Sequence, residues 1–370
     1  MQSTSQLQVP PERLTEKKVA DLVGDKRRLV EVPYTATLAD TMNTLLANRV
    51  AAVPVAAPPG QWIGAGGSMI LEYDKRTGAA RKHYIGMVTM LDVLAQIAGD
   101  GDDDVADFDL KMSVPVSSII GHCLESLTLW TLNPGMSLVD CMEVFSKGIH
   151  RAMVPFEGQA DNAPGVEIVE SASSYRMLTQ MDVLRFLREC AGQHDDELKA
   201  VMSHRLKDSN AVAADAVFGV TDKARVIDAI KCMRAASLNA VPIVESSVSV
   251  QEDHRQLVNG KNRKVTGTFS ATDLRACPIP VLETCLKWRV VDFLRKLSES
   301  PAHESAGVRS TWKEPVACGA EVTVGEAVEK AVRHRVHRVW VVDDKGLLQG
   351  VVSLTDMVRV IRLCLLSLSH

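Results

Sequence analysis

Gly350-Val-Val-Ser-Leu-Thr-Asp356 is the stretch that decides the fold, because four versions of it occur along the 370 residues. Each version has two mostly apolar residues, a serine or threonine, two further residues and an aspartate, and an apolar helical run follows. The other three are Gly86-Met-Val-Thr-Met-Leu-Asp92, Arg176-Met-Leu-Thr-Gln-Met-Asp182 and Gly267-Thr-Phe-Ser-Ala-Thr-Asp273. Their aspartates lie 90, 91 and 83 residues apart. The spacing predicts four copies of one structural unit.

A second recurring element precedes each motif and consists of an amphipathic helix followed by a short apolar strand. Apolar residues at three- and four-residue spacing predict helices over residues 38–48, 138–147, 225–235 and 324–333. Runs rich in valine, isoleucine and methionine predict strands over residues 51–56, 151–156, 240–244 and 338–342. Together with the motif, each unit is expected to form an α/β (α+β) arrangement in the order βαββα.

A βαββα unit of about 60 residues buries its own sheet faces poorly, so the four units are expected to associate as two pairs. The polar stretch 192–210 is the expected seam between the pairs, and the acidic stretch 100–109 connects the first two units. The expected boundaries of the units are 17–99, 113–191, 210–297 and 310–366. Loops at 58–83, 157–174 and 246–264 lengthen three units, either as surface hairpins or as a partner-binding segment.

Composition excludes several classes of protein. The formal net charge of −4 and the aromatic content of 4% give no reason to expect a nucleic-acid partner. No stretch approaches eighteen uninterrupted apolar residues, so no membrane span is expected. The eight cysteines form no Cys-x-x-Cys pair and no zinc-ligand spacing, which predicts no metal and a reducing compartment, cytoplasmic or nuclear. Known catalytic motifs are absent from the sequence, so the chain is not expected to be an enzyme.

The repeated Ser/Thr-x-x-Asp motif has two interpretations. As a capping box, its hydroxyl and carboxylate satisfy backbone N–H groups at the start of the following helix. As a ligand site, the same carboxylate accepts the hydroxyls of a ribose, with the preceding glycine giving a ligand close access to the backbone. The four hydroxyl residues are Thr89, Thr179, Ser270 and Ser353, and the four carboxylates are Asp92, Asp182, Asp273 and Asp356.

Two of the four units add a His-Arg pair where the helix gives way to the strand. These pairs are His150-Arg151 in the second unit and His337-Arg338 in the fourth. Arginine offers a bidentate fork to phosphate, and histidine adds a donor whose charge varies near neutral pH. The pairs are therefore candidate phosphate-binding residues, although a basic dipeptide could equally decorate the start of a strand.

The repeats resemble the CBS (cystathionine-beta-synthase) domain. The whole of residues 17–366 resembles the gamma regulatory subunits of AMP-activated and sucrose-non-fermenting-related protein kinases, in particular the gamma-like four-CBS proteins of plants. Three segments carry much of this resemblance: KRRLVEVPYTATLADTMNTLLANRVAAVPVAAPPGQWIGAGGS, GHCLESLTLWTLNPGMSLVDCMEVFSKGIHRAMVP and QLVNGKNRKVTGTFSATDLRAC. The resemblance implies two CBS pairs in a disc, with AMP, ADP or ATP bound around its centre. It also implies a catalytic alpha and a scaffolding beta subunit as partners.

The resemblance assigns roles residue by residue. The four aspartates match ribose-binding positions, the four hydroxyl residues match their neighbours, and the two His-Arg pairs match phosphate-binding positions. This sequence departs from the animal gamma subunits at two of these places: Ala51 stands where they have an arginine, and Met181 where they have a basic residue. The function expected is a non-catalytic kinase regulatory subunit that binds adenine nucleotides. The alternative is a free-standing, possibly homodimeric, nucleotide sensor that regulates another protein.

Overall fold

The structure is a computed structural model that describes residues 14–57, 62–63, 69–70, 83–99, 101, 107–123, 129–156, 174–192, 195–247, 251–299 and 315–368. Within those ranges no helix combines the length and the apolar character needed to cross a membrane.

Four units follow one another along the chain. The elements of the first half are α1 (Val19–Val23), β1 (Val32–Pro33), α2 (Leu38–Asn48), β2 (Ala52–Ala56), β3 (Trp62–Ile63), β4 (Met69–Ile70), β5 (Tyr84–Thr89), α3 (Met90–Ala98), α4 (Phe108–Ser113), α5 (Leu138–Ser146), β6 (Arg151–Phe156), β7 (Ser174–Thr179) and α6 (Gln180–Gly192). Those of the second half are α7 (Asp196–Met202), β8 (Phe218–Thr221), α8 (Val226–Ala235), β9 (Ala240–Val244), β10 (Val258–Asn259), β11 (Val265–Ser270), α9 (Ile279–Leu286), α10 (Val290–Glu299), β12 (Ala317–Cys318), α11 (Val324–His334), β13 (Arg338–Val342), β14 (Leu348–Ser353) and α12 (Leu354–Leu368). Short 3-10 helices cover Leu14–Glu16, Val116–Ile119, Leu206–Asp208 and Ala271–Ala276.

Units one, three and four have the predicted βαββα order, and unit two has it except for the first strand. Its central strand pairs antiparallel with the strand that carries the motif, giving the pairs β2–β5, β6–β7, β9–β11 and β13–β14. A short first strand lies parallel to the central strand in units one, three and four. In unit two, a single parallel bridge from Thr131 to Met153 takes the place of that strand. The predicted fold class is therefore confirmed.

Helix capping accounts for where the upstream helices begin. Thr37 caps α2 and Thr323 caps α11, each in a reciprocal capping box with an acidic residue three positions later. Ser137 caps α5 by accepting a hydrogen bond from the backbone N–H of Asp140. These caps lie directly before the first apolar residue of each predicted helix, so the predicted starts of these three helices are confirmed.

Unit three departs from the predicted pattern directly after its motif. A 3-10 helix over Ala271–Ala276 replaces the first turns of the expected α-helix, and α9 starts only at Ile279. The cause is Pro278, whose ring disfavours helical backbone at the preceding residue. Cys277 accordingly has an extended conformation, with φ −99° and ψ 112°. The helical run of this unit is therefore divided in two.

The inserted loops differ in how they are used. In unit one, β3 and β4 form an antiparallel pair, while residues 157–173 of unit two lie outside the described residues. In unit three, the loop lies against neighbouring structure instead of forming a free hairpin. The backbone N–H of Gly260 donates to the carbonyl of Val217, and that of Asn262 donates to the carbonyl of Leu348 in unit four, both at 2.8 Å. This loop therefore fastens unit three to unit four.

Sheet faces and sheet edges join consecutive units into pairs. Between units one and two, the rings of Tyr84 and Tyr175 meet edge to face, with centroids 5.9 Å apart. Between units three and four, the indole N–H of Trp340 donates to the hydroxyl of Thr268 at 2.7 Å. A backbone bridge from Ala213 to Val351 strengthens the second junction. The pairs along the chain are thus one with two, and three with four.

Helices join the two pairs to each other, and these contacts link unit one with unit three and unit two with unit four. One apolar core contains buried residues of units one and three, where α3 packs against α8. A second core contains buried residues of units two and four, where α5 and α6 pack against α11 and α12. Each unit therefore contacts one neighbour through its sheet and another through its helices. The four units close into a ring with a cavity at its centre.

The segments between units pack on a different unit from the one that they precede. Helix α1 precedes unit one, yet Val19 and Val23 belong to the core of units two and four. Helix α7 lies inside the predicted seam 192–210 and buries Leu198 and Val201 in that same core. We call this packing of a leading helix on another unit a crossing. Equivalent antiparallel bridges fix the two crossings, Lys18 with Ser137 for α1 and Arg205 with Thr323 for α7.

Two of the three motif glycines, Gly86 and Gly350, lie close against protein atoms on the side to which a Cβ would point. A Cβ added at Gly350 would lie 2.5 Å from Cγ1 of Val212 and 2.9 Å from the carbonyl oxygen of Ala213. A Cβ at Gly86 would lie 2.4 Å from the Ile120 side chain, which can shift more easily than backbone. Protein atoms therefore fill the position that a side chain would take at these two glycines.

We expect Gly350→Ala to lower the free energy of unfolding by about 1–3 kcal/mol, because the added methyl overlaps a neighbouring backbone carbonyl. Gly267→Ala is the matched control, since its Cβ would meet the side chain of Ile243 at an ordinary 3.4 Å. Urea denaturation of both variants measures the difference. Equal stability of the two variants would contradict the close-packing explanation.

Candidate functional site

The central cavity has a volume of about 460 Å³ and receives side chains from all four units. Pockets of this size hold ligands of the dimensions of a nucleotide. Its polar lining residues are Lys26, Arg49, Thr89, Arg151, Thr179, Asp182, Arg185, Asn239, Thr268, Ser270, Thr272, Asp273, Arg275, His334, Arg335, His337 and Arg338.

The lining is strongly cationic. Seven lysine and arginine side chains face two aspartates across the cavity, and two histidines stand beside them. Cationic groups of one sign in a concave, partly enclosed space raise the local potential and attract anions. The arginine forks match phosphate oxygens geometrically. The arrangement is therefore suited to a phosphorylated ligand.

The predicted phosphate residues are distributed over two adjoining cavities. Arg151 and Arg338 begin β6 and β13 and line the central cavity, which His337 also lines. His150 lies in a smaller cavity of about 220 Å³, which Arg151 and His337 line as well. The Arg338 guanidinium donates to the carbonyl oxygen of Ala240 in unit three, and this bond fixes its direction across the unit boundary. Three of the four predicted residues thus reach the centre.

In unit two, the motif aspartate lines the cavity and is already surrounded by cations. Asp182 Oδ2 accepts from Lys26 Nζ at 2.6 Å, and Oδ1 lies 3.6 Å from Arg185 Nη1. The same carboxylate accepts from the backbone N–H and the hydroxyl of Thr179. A ribose bound here would share this carboxylate with the lysine.

In unit three, the motif aspartate is partly buried and lines the cavity. Burial raises the pKa of Asp273 to about 7, while the N–H of Ser270 and the charge of Arg275 act in the opposite direction. Burial also lowers the pKa of Arg275, and the Asp273 carboxylate acts against that shift. Asp273 therefore changes charge near neutral pH, and its capacity as a double hydrogen-bond acceptor is complete only above that pH.

The motif aspartates of units one and four are not among the described residues that line either cavity. Asp92 is fully buried in the helical core, where its carboxylate accepts from the backbone and hydroxyl of Thr89. Asp356 accepts from Ser353 and forms an ion pair with Arg359 at 2.9 Å. The capping interpretation holds for all four motifs, because each aspartate accepts from the N–H of its own serine or threonine. Only Asp182 and Asp273 also face the centre.

Six basic lining residues were not predicted as site residues: Lys26, Arg49, Arg185, Arg275, His334 and Arg335. Arg49 and Arg335 precede the central strands of their units, at the helix-to-strand corner where units two and four carry their His-Arg pairs, and this shared position is a signal in the sequence. Lys26 reaches the cavity because the segment that contains it crosses to unit two, and no local pattern indicates that crossing. Among the described residues, no cluster of three or more histidine, cysteine or acidic side chains is arranged to hold a metal ion.

The raised pKa of Asp273 predicts a pH dependence of stability. Between the ordinary value of 3.8 and about 7, the folded chain retains a proton at this carboxyl that the unfolded chain releases. The carboxyl therefore lowers the free energy of unfolding as pH rises through this window, by at most about 1.4 kcal/mol per pH unit. We expect Asp273→Asn to remove that contribution, so its stability relative to the wild type should increase from about pH 5 to about pH 7 and then level off.

Urea denaturation across that pH range measures the difference. The control is Asp344→Asn, because Asp344 is exposed in a surface turn. A stability difference between wild type and Asp273→Asn that stays constant with pH would contradict the assignment.

Comparison with known proteins identifies the family. The sequence model of the CBS domain matches residues 308–363, which cover most of unit four. The chain is 56% identical over 353 residues to the SNF1-related protein kinase regulatory subunit gamma-like PV42a of Arabidopsis thaliana, covering 95% of this chain and 96% of the relative. It is 53% identical over 355 residues to PV42b of the same plant, covering 96% and 97%.

Among solved structures, the fold is similar to that of protein MJ1225 from Methanocaldococcus jannaschii, proposed as an archaeal homologue of g-AMPK. The TM-score is 0.57 at 17% sequence identity, over 93% of this chain and 99% of that one. This similarity concerns the fold alone. The two plant relatives, by contrast, match over almost the full length at more than half of the aligned positions. The chain belongs to the family of SNF1-related protein kinase regulatory subunit gamma-like proteins.

Proposed function

We propose that this chain is a non-catalytic regulatory subunit of a Ser/Thr protein kinase and that it binds an adenine nucleotide in its central cavity. The names of the two long plant relatives support a regulatory role beside a kinase. The partners would be a catalytic alpha-type and a scaffolding beta-type subunit. AMP, ADP and ATP are the proposed regulatory ligands, with no metal, and the cytoplasm or nucleus is the proposed location.

The observation that carries the nucleotide proposal is the convergence of unlike groups on one cavity. Cationic forks from units two and four, Arg151 and Arg338, face the same space as the carboxylates of Asp182 and Asp273 from units two and three. A nucleotide needs both kinds of group, since its phosphates seek arginine and its ribose hydroxyls seek a carboxylate. Two of the four predicted ribose-binding aspartates line this cavity, so the geometry favours fewer nucleotide sites than there are repeats.

Regulation would follow from linkage between binding and assembly. A nucleotide in the central cavity contacts groups from several units, so its binding depends on how those units are arranged. If the kinase complex holds the ring in one arrangement, a nucleotide that prefers that arrangement stabilises the complex by its differential affinity. The same coupling would make the complex bind that nucleotide more tightly than the isolated chain does.

Co-expression with alpha-type and beta-type kinase subunits tests the proposed assembly. We expect the chain to co-purify with both subunits, and mass spectrometry of the purified complex to detect adenine nucleotide. A chain that stays free in the presence of both subunits would contradict the kinase role. If the free chain instead forms a stable dimer containing nucleotide, the sensor of another protein is the correct function.

We expect Arg151→Ala and Arg338→Ala each to weaken binding of AMP or ATP by about 1.5–3 kcal/mol, because each removes a charge-assisted hydrogen bond to phosphate. Calorimetry on the purified chain measures the change. The control is Arg333→Ala, which removes the same charge from an exposed position on α11 that is not part of the cavity lining. Affinities that stay unchanged in both cavity variants would refute the assignment.

A further inference from the structure

The corner between helix and central strand has an unusual backbone in every unit. At this corner the chain takes a positive φ at Arg49 (54°), Gly148 (92°), Ser237 (53°) and Arg335 (54°). Glycine adopts this left-handed conformation without strain, whereas other residues lose about 1–2 kcal/mol. Only unit two has the residue that the backbone prefers. Units one and four both place arginine there, which is costly unless the side chain has a use.

Contacts from unit three and from the segment before β1 hold the corner of unit one in this conformation. The carbonyl of Arg49 accepts from the guanidinium of Arg275 in unit three at 3.4 Å, and the carbonyl of Asn48 accepts from Arg27 at 2.6 Å. In unit four, the backbone N–H of Arg335 closes the end of α11 on the carbonyls of Ala331 and Val332. The side chains of the two arginines are not needed for any of these contacts. The backbone alone therefore does not explain why arginine is present.

Both arginines line the central cavity, while Gly148 and Ser237 at the equivalent corners do not. Ala51 also lines the cavity and carries no charge, so Arg49 supplies the cation of this corner from two residues earlier. Within the described part of the chain, neither guanidinium forms an ion pair or a hydrogen bond with another side chain. Both residues are exposed.

Four other cationic side chains of the cavity already interact with a carboxylate or with a backbone carbonyl. Lys26 and Arg185 neighbour Asp182, Arg275 interacts with Asp273, and Arg338 donates to a carbonyl of unit three. Arg49 and Arg335 therefore add positive charge that no carboxylate of the described lining offsets. A monophosphate is served by the His-Arg sites, so two further arginine forks match a ligand with additional phosphates.

We infer that Arg49 and Arg335 are specificity-determining residues that make the central cavity prefer a nucleoside triphosphate to a monophosphate. This inference rests on the proposed nucleotide binding and names the class of nucleotide. The β- and γ-phosphates are the groups that the two arginines would contact. The corner fixes the backbone from which each arginine side chain starts, so binding has to order only the side-chain torsions.

The variants Arg49→Gly and Arg335→Gly test the inference without endangering the fold, because glycine relieves the left-handed strain. We expect each variant to melt at the wild-type temperature or above it and to bind ATP about tenfold more weakly by calorimetry. Affinity for AMP should change by less than about twofold. Measurements are made on the full chain with magnesium chelated, so that phosphate charge alone is probed.

Ser237→Gly is the matched control, since it relieves the same strain at φ 53° in unit three and removes no charge. It should leave both affinities unchanged. An unchanged ratio of ATP to AMP affinity in both arginine variants would overturn the inference. An equal loss of affinity for both nucleotides is one such result, and it is the result expected of general charge attraction. A wild-type chain that binds neither nucleotide would instead refute the proposed function itself.

Discussion

The helices of each unit are too apolar on their inward faces to remain in contact with water, and no unit covers its own. Helix α3 is the extreme case, because eight of its nine residues are buried, including Asp92 in its first turn. Burial of this much apolar surface is the dominant favourable contribution to folding, so unit one must find a partner helix. It finds α8 of unit three, and units two and four satisfy the same requirement with each other. The ring, its two cores and its central cavity all depend on this packing of helices of one pair against helices of the other.

The polarity of the cavity follows from the same constraint. Apolar residues of the units are committed to the two cores and to the sheet junctions, so the corners left at the centre carry the polar ends of strands and helices. Arg151 and Arg338 are there because a strand begins at each. Asp182 and Asp273 are there because a helix or 3-10 helix begins just before each. A binding site made of the ends of strands and helices tolerates substitution, because few of its side chains contribute to a core.

Local patterns were sufficient to predict the units, and tertiary contacts explain what they could not predict. Apolar spacing alone placed the upstream helices to within one residue, because the caps that start two of them, Thr37 and Thr323, also depend only on nearby residues. The four motifs, however, read alike and behave differently. Whether an aspartate meets a core, as Asp92 does, or a cavity, as Asp273 does, is set by which unit packs against it. Lys26 lies in the site because the segment that contains it packs on unit two, and no repeat or spacing in the sequence indicates that packing.

The crossings of α1 and α7 bear on how such a protein could have arisen and how it could be divided. Each crossing joins a segment to the second unit of the pair that follows it, with the same bridge in both halves of the chain. A gene fragment encoding one unit would leave its leading helix without the surface on which that helix packs. A fragment encoding a leading helix and two units would keep that surface. Half of this chain is therefore the smallest piece that keeps the bridge of its leading helix, and a second copy of such a half would cover the helical faces that its own units leave exposed.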